Sequence, residues 1–270
     1  MIILITGGTS GIGENLAESL SVNNTVIICG TNKNKLLKKR NSNIKSYKCD
    51  VSDEKSVMKF SKLINKKNKK IDVLINCAGT YGGIGKFYKL NFKDWKKAIE
   101  VNFFGTFLIC KYFLKFLKKS KVKKIINFSG GGAFYSFPNY SSYATSKAAL
   151  VRFTETIADE LKLEGISVNC IAPGFVATNI HKKTIKSGPK SAGKVFFSET
   201  LNKIKSGGTP LNKIFDCVNF LISKKSKFLT GKTISVNFDP WHEKKFQKNI
   251  KKIIKTDELT MRRINLKTQF

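Results

Sequence analysis

Tyr143 and Lys147 are the two residues whose types and spacing point most clearly to chemistry. They frame the stretch Tyr-Ala-Thr-Ser-Lys, and the apolar residues that follow recur at helical spacing. On a helix, side chains four residues apart share one face. A free phenol has a pKa of about 10, and a nearby ammonium group favours the phenolate and lowers that value. The pair could therefore exchange a proton with a substrate alcohol or carbonyl, unless it is only a half-buried ring beside a solvated charge.

A glycine-rich turn near the start of the chain could hold a cofactor for this pair. The apolar run 2–5 has the length of a buried strand and leads into Thr-Gly-Gly-Thr-Ser-Gly-Ile-Gly at 6–13. Apolar residues at helical spacing follow at 16–20. Glycines permit tight turns and let backbone N–H groups approach a pyrophosphate where a helix begins. The spacing Gly-x-x-x-Gly-x-Gly thus indicates a dinucleotide-binding turn, with an ordinary strand-to-helix turn as the alternative.

Together, these two motifs resemble those of the short-chain dehydrogenase/reductase family, over roughly residues 1–238. Further stretches match the family in the expected order. The run Asn-Cys-Ala-Gly at 76–79 is similar to its Asn-Asn-Ala-Gly motif, with Cys77 in place of the second asparagine. The remaining matches are Asp50-Val51 beside the adenine, the helix asparagine Asn102, and Pro173-Gly174 with Thr178 beside the nicotinamide.

The resemblance implies that one cofactor contacts residues from all of these motifs. The predicted cofactor-binding residues are Gly7, Thr9, Ser10, Gly11, Ile12, Gly13, Thr31, Asn32, Asp50, Val51, Asn76, Ala78, Gly79, Tyr143, Lys147, Pro173, Gly174, Val176 and Thr178.

The hydrophobic pattern along the chain alternates between strands and helices. Strands are predicted near 2–6, 25–30, 44–49, 71–76, 122–128, 166–171 and 232–237, and helices near 11–21, 33–40, 53–66, 91–118, 141–163 and 211–223. Near-continuous apolar strands that alternate with helices imply a parallel sheet covered on both faces. The predicted fold class is α/β: a single doubly wound, Rossmann-like domain with a seven-stranded sheet. Ligands then bind at the carboxyl ends of the strands.

Composition sets bounds on class and location. The 270 residues carry 50 basic and 18 acidic side chains, a net charge of +32, yet only four of the basic residues are arginine. Lysines spread over many segments favour solvated helix surfaces over a specific nucleic-acid site, since base and phosphate forks prefer arginine. No apolar run approaches the ~20 residues of a membrane helix, and no signal peptide is evident. Six cysteines without a Cys-x-x-Cys pair indicate reduced thiols in a cytoplasmic protein without a metal site.

The end of the second predicted strand bears on the choice of cofactor. Gly30 stands where family members that prefer NAD carry an aspartate, which would repel a 2′-phosphate. Thr31, Asn32 and Lys33 could instead donate hydrogen bonds to that phosphate. The sequence therefore predicts NADP, with NAD as the alternative, because Thr31 stands where the usual arginine is expected and Lys33 and Lys35 could be solvated helix charges.

By resemblance, Tyr143 is the general acid in reduction and the base in oxidation, while Lys147 lowers its pKa and holds the nicotinamide ribose. Asn102 would hold a water in a proton relay. The family serine that stabilises the substrate oxygen lies thirteen residues before the tyrosine, where this chain has Gly130. Ser129 is one residue away and is the predicted replacement. The alternatives are Ser141 or Ser142, a backbone N–H group, or a water.

Segment 175–210 matches the family's substrate loop and combines aromatic residues with seven lysines, which suits an anionic substrate or a solvated lid helix. His181 in this segment is interpreted as a surface histidine. The tail 239–270 is predicted to be a C-terminal extension. The tail resembles the ending of short-chain dehydrogenase/reductase family members associated with bacterial surface-polysaccharide and nucleotide-sugar synthesis. Trp241 could stack on a sugar or anchor the tail.

The predicted activity is an NADP-dependent oxidoreductase acting on a carbonyl or alcohol, such as a sugar or nucleotide sugar. A 3-oxoacyl thioester, carried by an acidic protein that a basic surface would attract, is the alternative substrate. A further alternative, from another functional class, is a dinucleotide-binding sensor or scaffold with impaired catalysis. Gly130 supports this alternative, whereas the intact Tyr143 and Lys147 argue against it. Members of this family commonly form dimers and tetramers, so the resemblance implies a homodimer or homotetramer.

Overall fold

The computed structural model of the chain describes residues 1–32, 34, 36 and 41–262. Within this part, seven strands form one sheet: β1 (Ile2–Thr6), β2 (Thr25–Gly30), β3 (Ile44–Lys48), β4 (Val73–Asn76), β5 (Lys124–Phe128), β6 (Ser167–Ala172) and β7 (Thr233–Ser235). The strand order is β3-β2-β1-β4-β5-β6-β7, and every neighbouring pair is parallel. The order reverses between β1 and β4, so a ligand crevice is expected outside the carboxyl ends of these two strands.

Alternating strand residues supply both hydrophobic cores. Ile3 and Ile5 of β1 belong to one cluster of buried side chains, while Leu4 between them belongs to the other. Successive side chains of a strand point to opposite faces of the sheet, so a continuous apolar run fills both layers. This confirms the prediction of a parallel sheet covered on its two faces.

The α-helices described are α1 (Gly11–Leu20), α2 (Glu54–Lys67), α3 (Phe92–Ala98), α4 (Gly105–Lys118), α5 (Ser141–Glu160), α6 (His181–Ala192), α7 (Lys194–Ser206), α8 (Leu211–Ile222) and α9 (Lys244–Ile253). Helices α1, α8 and α9 bury apolar side chains on one face of the sheet, and α2, α4 and α5 do so on the other. The helix predicted at 91–118 is interrupted by a π-helix at Ile99–Phe104. The sequence pattern did not predict α6, α7 or α9. Most of the helix predicted at 33–40 lies outside the described residues.

The tail packs against the domain through Trp241. This side chain is 5% exposed, and its Nε1 donates to the Val236 carbonyl at 3.2 Å. Its ring lies 6.1 Å from that of Phe220, between centroids. Of the two roles suggested for Trp241, the structure shows the anchor, because the side chain belongs to the core and not to a cleft.

The last described residues are held by Glu155 of α5. Its buried carboxylate accepts the Met261 N–H at 2.6 Å and pairs with the guanidinium of Arg152, 2.5 Å away. Arg262 lies 3.5 Å from the same carboxylate. The described part of the tail is therefore fixed to the domain by polar contacts as well as apolar ones.

All six cysteines have free thiols, and five of them are buried. Among the described helices, none is both long enough and apolar enough to cross a membrane. The same residues contain no group of three or more His, Cys, Asp or Glu side chains that could hold a metal ion.

Candidate active site

A cleft of about 1370 Å³ lies at the carboxyl ends of the strands. The glycine turn between β1 and α1, the loops after β4, β5 and β6, and the start of α5 all contribute to its wall. Every predicted site residue lines this cleft except Asn32, Asn76 and Asn102. The topology thus gathers motifs that are far apart in sequence, because parallel strands direct all of their carboxyl ends to one edge.

The glycine turn has a backbone that only glycines allow. Gly7 has a φ of +68°, and a Cβ there would lie 2.8 Å from the Cα of Ala78. A Cβ on Gly13 would lie 2.6 Å from the Gly7 carbonyl oxygen. The Thr6 hydroxyl accepts the N–H groups of Cys77 and Ala78 at 3.1 and 3.2 Å, which joins this turn to the loop after β4.

The start of α1 fits a pyrophosphate. Ser10 is its N-cap and makes no side-chain cap hydrogen bond. The first N–H groups of a helix lack partners within the helix and form the positive end of its dipole, so they can donate to phosphate oxygens. Ser10, Gly11, Ile12 and Gly13 all line the cleft. The donor set is therefore the one that a dinucleotide cofactor requires.

Another part of the cleft wall lies at the carboxyl end of β2. Gly30 is on its wall, and no acidic side chain stands at that position. A Cβ on Gly30 would meet the Thr9 hydroxyl at 2.9 Å. Asp50 is oriented by its own loop, since its Oδ1 accepts the Ser52 hydroxyl at 2.6 Å. Lys33 and Lys35, two candidates for a 2′-phosphate, lie outside the described residues.

Tyr143 and Lys147 lie on the first turns of α5 and face the cleft, as their spacing predicts. Both are buried, with 8% and 5% of their surface exposed. The Lys147 ammonium lies 5.7 Å from the centre of the Tyr143 ring and donates to the Phe128 carbonyl at 2.6 Å. Burial raises the pKa of the Tyr143 phenol and lowers the pKa of Lys147, because it disfavours both charged forms. Burial is the largest influence on the pKa of the Tyr143 phenol and holds it above its ordinary value.

Gly130 is in direct contact with the Tyr143 phenol. A Cβ on Gly130 would lie 2.1 Å from the phenol oxygen and 3.0 Å from Cζ. The space of the family's serine side chain is therefore filled by the tyrosine itself. A hydroxyl on residue 130 and Tyr143 in its present position exclude one another.

The other serines near the phenol have different surroundings. Ser129 lies on the cleft wall, but its Oγ is buried and has no hydrogen-bond partner among the described residues. Ser142 donates to the Tyr81 carbonyl at 3.2 Å, and the Ser141 hydroxyl accepts the Trp95 indole N–H at 3.0 Å. Both of the alternatives to Ser129 are thus engaged in contacts within the protein.

Asn102 lies at the π-helix, a feature often found at functional sites. Its amide donates to the Thr80 carbonyl at 2.9 Å and to the Ser146 hydroxyl at 2.8 Å. Its Oδ1 accepts the Thr80 N–H at 2.8 Å. Asn102 therefore joins the π-helix to the loop after β4 and to α5 behind the cleft wall. The water relay assigned to it stays a prediction.

Asn76 is buried at the end of β4 rather than exposed to the cleft. Its amide donates to Asn127 Oδ1 on the neighbouring strand β5 at 2.8 Å. Asn127 in turn donates to the Thr154 hydroxyl on α5 at 2.8 Å. These hydrogen bonds connect the sheet to the helix that carries Tyr143 and Lys147. Asn76 therefore supports the cleft wall and does not line the cleft.

The structure places a tyrosine–histidine pair in the cleft that the sequence analysis missed. Tyr81 Oη lies 3.1 Å from Nδ1 of His181, and both side chains line the cleft. The interpretation of His181 as a surface residue without a partner is wrong, because it is 5% exposed and stacks on Phe175 at 4.0 Å. The two residues are 100 positions apart, so no local pattern joins them. The one available signal was that Tyr81 lies two residues after the motif at 76–79.

Segment 175–210 closes the cleft with aromatic side chains. Phe196 of α7 packs on Phe137 and Tyr140, with ring centroids 4.8 and 5.1 Å apart. The Tyr140 hydroxyl donates to Thr184 of α6 at 2.9 Å. Charge is present as well, since the cleft is also lined by the lysines Lys97, Lys183 and Lys203. The wall that would face a substrate is thus aromatic with a basic rim.

A family model described as short chain dehydrogenase matches residues 1–188. The chain belongs to this family. It is 31% identical over 250 residues to a 3-oxoacyl-acyl-carrier-protein reductase of Aquifex aeolicus, covering 87% of this chain and 95% of that protein. It is 27% identical over 245 residues to glucose 1-dehydrogenase 2 of Bacillus subtilis, covering 87% and 92% of the two chains. A solved structure of an ElxO variant with NADPH bound matches with a TM-score of 0.72 and 29% identity, over 87% of this chain and 96% of that one. Membership makes the protein a short-chain oxidoreductase of the kind that uses NAD(P).

Proposed function

We propose that the protein is an NADP-dependent reductase of a small carbonyl substrate. The observation that carries the proposal is the placement of the Tyr143 phenol and the Lys147 ammonium on the wall of the cleft that also holds the glycine turn. Bound NADPH would supply the hydride. The protein's own residues would supply the proton and the orientation of the substrate oxygen.

Tyr143 is the proposed proton donor. Burial raises the pKa of its phenol, so the site begins in the protonated form that reduction requires, whereas oxidation would require the phenolate. As negative charge develops on the substrate oxygen, that oxygen takes the phenol proton. Lys147, 5.7 Å from the ring, is placed to stabilise the resulting phenolate and to hold the nicotinamide ribose. Asn102 keeps its predicted relay role in this scheme. A hydroxyl on the cleft wall donates to the substrate oxygen, and Ser129 is the residue that the sequence predicts for it.

NADP is proposed over NAD because of Gly30. An acid at this position would repel a 2′-phosphate, and the chain has none there. Thr31 lines the same end of the cleft and is exposed, so its hydroxyl could donate to the phosphate. The NADPH-bound relative supports the same choice, at 29% identity. NAD is the alternative that a titration decides.

Two substrate classes have support. The sugar or nucleotide-sugar proposal is supported by the glucose dehydrogenase relative and by the resemblance of the tail. The 3-oxoacyl thioester proposal is supported by the reductase relative at 31% identity and by the lysines on the cleft rim, which would attract an acidic carrier protein or the phosphates of a coenzyme A thioester. The reductase relative is 31% identical and the glucose dehydrogenase relative 27%, so the thioester class is the first to be tested.

The experiment is a substrate panel read by NADPH absorbance. Acetoacetyl-coenzyme A, hexoses and nucleotide sugars are each offered with NADPH and with NADH, and the alcohols are offered with the oxidised cofactors. We expect faster consumption of NADPH than of NADH with one of the carbonyl substrates. Binding of neither cofactor in a fluorescence titration would refute the proposed function, and tighter binding of NADH would refute the choice of NADP.

Tyr143→Phe tests the assignment of the proton donor. The ring keeps its packing, whereas the phenol oxygen is lost. We expect unchanged NADPH affinity and a loss of turnover of about 10²–10⁴-fold. A loss smaller than tenfold would place the acid on another residue.

The assembly and location of the protein are further proposals. Phe104 and Phe107 at the start of α4 expose 46% and 41% of their surface, and Phe107 packs on Phe153 of α5 with ring centroids 6.1 Å apart. An exposed aromatic patch of this kind suits the expected homodimer or homotetramer. Six free thiols suit a reducing, cytoplasmic compartment.

A further inference from the structure

The hydrogen-bond donor to the substrate oxygen is the part of this site that the family's pattern does not supply. Residue 130 cannot carry a hydroxyl while Tyr143 keeps its position, since a Cβ there would lie 2.1 Å from the phenol oxygen. Ser142 is engaged with the backbone of Tyr81, whereas Ser129 Oγ is buried and has no hydrogen-bond partner among the described residues. The cleft wall also carries a second polar side chain beside Tyr143, which is Tyr81.

Tyr81 packs directly on Tyr143. The two rings meet edge to face, with centroids 4.8 Å apart and an interplanar angle of 74°. Both side chains line the cleft, and both are largely buried, with 4% and 8% of their surface exposed. A substrate oxygen that reaches the Tyr143 phenol therefore lies beside the Tyr81 ring as well.

His181 fixes the Tyr81 hydroxyl from the far side. Its Nδ1 lies 3.1 Å from that hydroxyl, and its ring stacks on Phe175 with 4.0 Å between centroids and 20° between planes. A stacked, 5% exposed imidazole has little freedom to turn. His181 begins α6, so the substrate loop itself brings this ring to the catalytic wall.

Burial also determines the protonation of the pair. It lowers the pKa of His181 to about 4 and raises the pKa of Tyr81, so both side chains are neutral near pH 7. A neutral imidazole carries one N–H group. The Val176 backbone is a second hydrogen-bond partner of this ring, so Val176 and Tyr81 compete for that proton. The proposal requires the proton on Nδ1, because the imidazole then donates to the Tyr81 oxygen and the Tyr81 proton remains available for an acceptor in the cleft.

We propose that the Tyr81 hydroxyl, oriented by Nδ1–H of His181, donates the second hydrogen bond to the substrate's carbonyl oxygen, beside the Tyr143 phenol. The inference rests on the proposed function. Tyr81 keeps its proton throughout, and the transferred proton still comes from Tyr143. In this arrangement Tyr81 is a catalytic residue and His181 is a positioning residue, and together they take the place that the sequence assigns to Ser129.

The kinetic test compares Tyr81→Phe with Ser129→Ala, with acetoacetyl-coenzyme A and NADPH as the probes. Loss of one donor aimed at a developing oxyanion costs about 10²-fold or more in kcat. We expect that loss in Tyr81→Phe, with little change in KM because the bond strengthens in the transition state. With Tyr81 as the donor, the loss of kcat should be larger in Tyr81→Phe than in Ser129→Ala. The affinity for NADPH should be unchanged in both variants.

Two variants of His181 separate positioning from packing. His181→Asn keeps a donor near the place of Nδ1 and should retain much of the activity, whereas His181→Leu keeps volume but no donor and should lose about as much kcat as Tyr81→Phe. If both variants lose activity equally, with a raised KM, His181 has only a structural role and the positioning proposal is overturned.

An NMR measurement tests the pair without turnover. The chain has two histidines, 181 and 242, so labelling with 15N-histidine gives two sets of signals that His242→Gln assigns. With NADPH bound at pH 7, we expect a neutral His181 with its proton on Nδ1, and nitrogen shifts that move in Tyr81→Phe. A charged ring, or a proton on Nε2, would mean that Tyr81 donates to His181 and not to a substrate, which overturns the inference.

The outcomes also separate this inference from the proposed function. Binding of neither cofactor would defeat the proposed function, and wild-type activity in Tyr143→Phe would defeat the assignment of the proton donor. Loss of activity in Tyr143→Phe combined with full activity in Tyr81→Phe would defeat only the role of Tyr81. If Ser129→Ala then shows the large loss, the donor is Ser129, as the sequence predicts.

Discussion

Gly130→Ser restores the residue type that the family has at this position, and we expect it to impair the enzyme. The reason is the contact between the glycine and the catalytic phenol. A Cβ on residue 130 would lie 2.1 Å from the Tyr143 oxygen, whereas real Cβ atoms essentially never approach another heavy atom within 3.0 Å. The phenol, or the backbone at 130, must therefore retreat by about 0.9 Å before the new hydroxyl can do anything.

The size of the effect follows from that displacement. A misplacement of about 1 Å in a catalytic group costs on the order of 10²-fold in rate. Overpacking of a well-filled interior costs about 1–3 kcal/mol of folding free energy. We therefore expect kcat to fall by about 10²-fold and the free energy of unfolding to fall by about 1–3 kcal/mol. The affinity for NADPH should change little, because the glycine turn is on other elements.

The assay measures kcat with NADPH absorbance and stability with urea unfolding, on the same preparations. Gly130→Ala adds only the Cβ and should reproduce most of the loss. Gly131→Ala is the matched control, because a Cβ there meets the Tyr135 hydroxyl at 3.1 Å, and Tyr135 is 66% exposed and able to move. The control should retain its activity. A Gly130→Ser enzyme as active as the wild type, or more active, would show that Tyr143 can shift without loss and would refute this reasoning.

Three further predictions concern the cofactor, the pH dependence and the tail. Gly30→Asp should shift the preference from NADPH toward NADH in a fluorescence titration. The control Gly30→Ala adds only the Cβ, which would lie 2.9 Å from the Thr9 hydroxyl, and so separates the effect of crowding from the effect of charge. The pKa of His181 falls from 6.5 to about 4 on folding, so its contribution to stability is present above pH 6.5 and is lost toward pH 4. That loss amounts to at most about 3 kcal/mol of the free energy of unfolding, which urea unfolding measures at each pH. His181→Asn should remove most of this pH dependence. Glu155→Gln should lower the free energy of unfolding by about 1–2 kcal/mol, because the amide can still accept the Met261 N–H but no longer carries the charge that pairs with Arg152 and Arg262; an unchanged urea midpoint would contradict this.

The sequence by itself determined the features that depend on local patterns. Apolar runs alternating with helical periods predicted the parallel sheet, and the glycine spacing at 6–13 predicted the turn before α1. The four-residue spacing of Tyr143 and Lys147 placed both on one face of α5. Each of these rests on the fixed periods of strands and helices, which neighbours in the chain establish without any knowledge of distant contacts.

Only the tertiary structure decided the contacts and charges of the site. Tyr81 and His181 meet across 100 residues, and Gly130 meets the Tyr143 phenol because the loop after β5 lies against α5. The direction of the pKa shift of the phenol has the same origin. The four-residue spacing to an ammonium predicted a lowered pKa, whereas burial by side chains from several elements raises it. Desolvation and steric exclusion depend on every atom packed around a group, and those atoms come from parts of the chain that no local spacing relates.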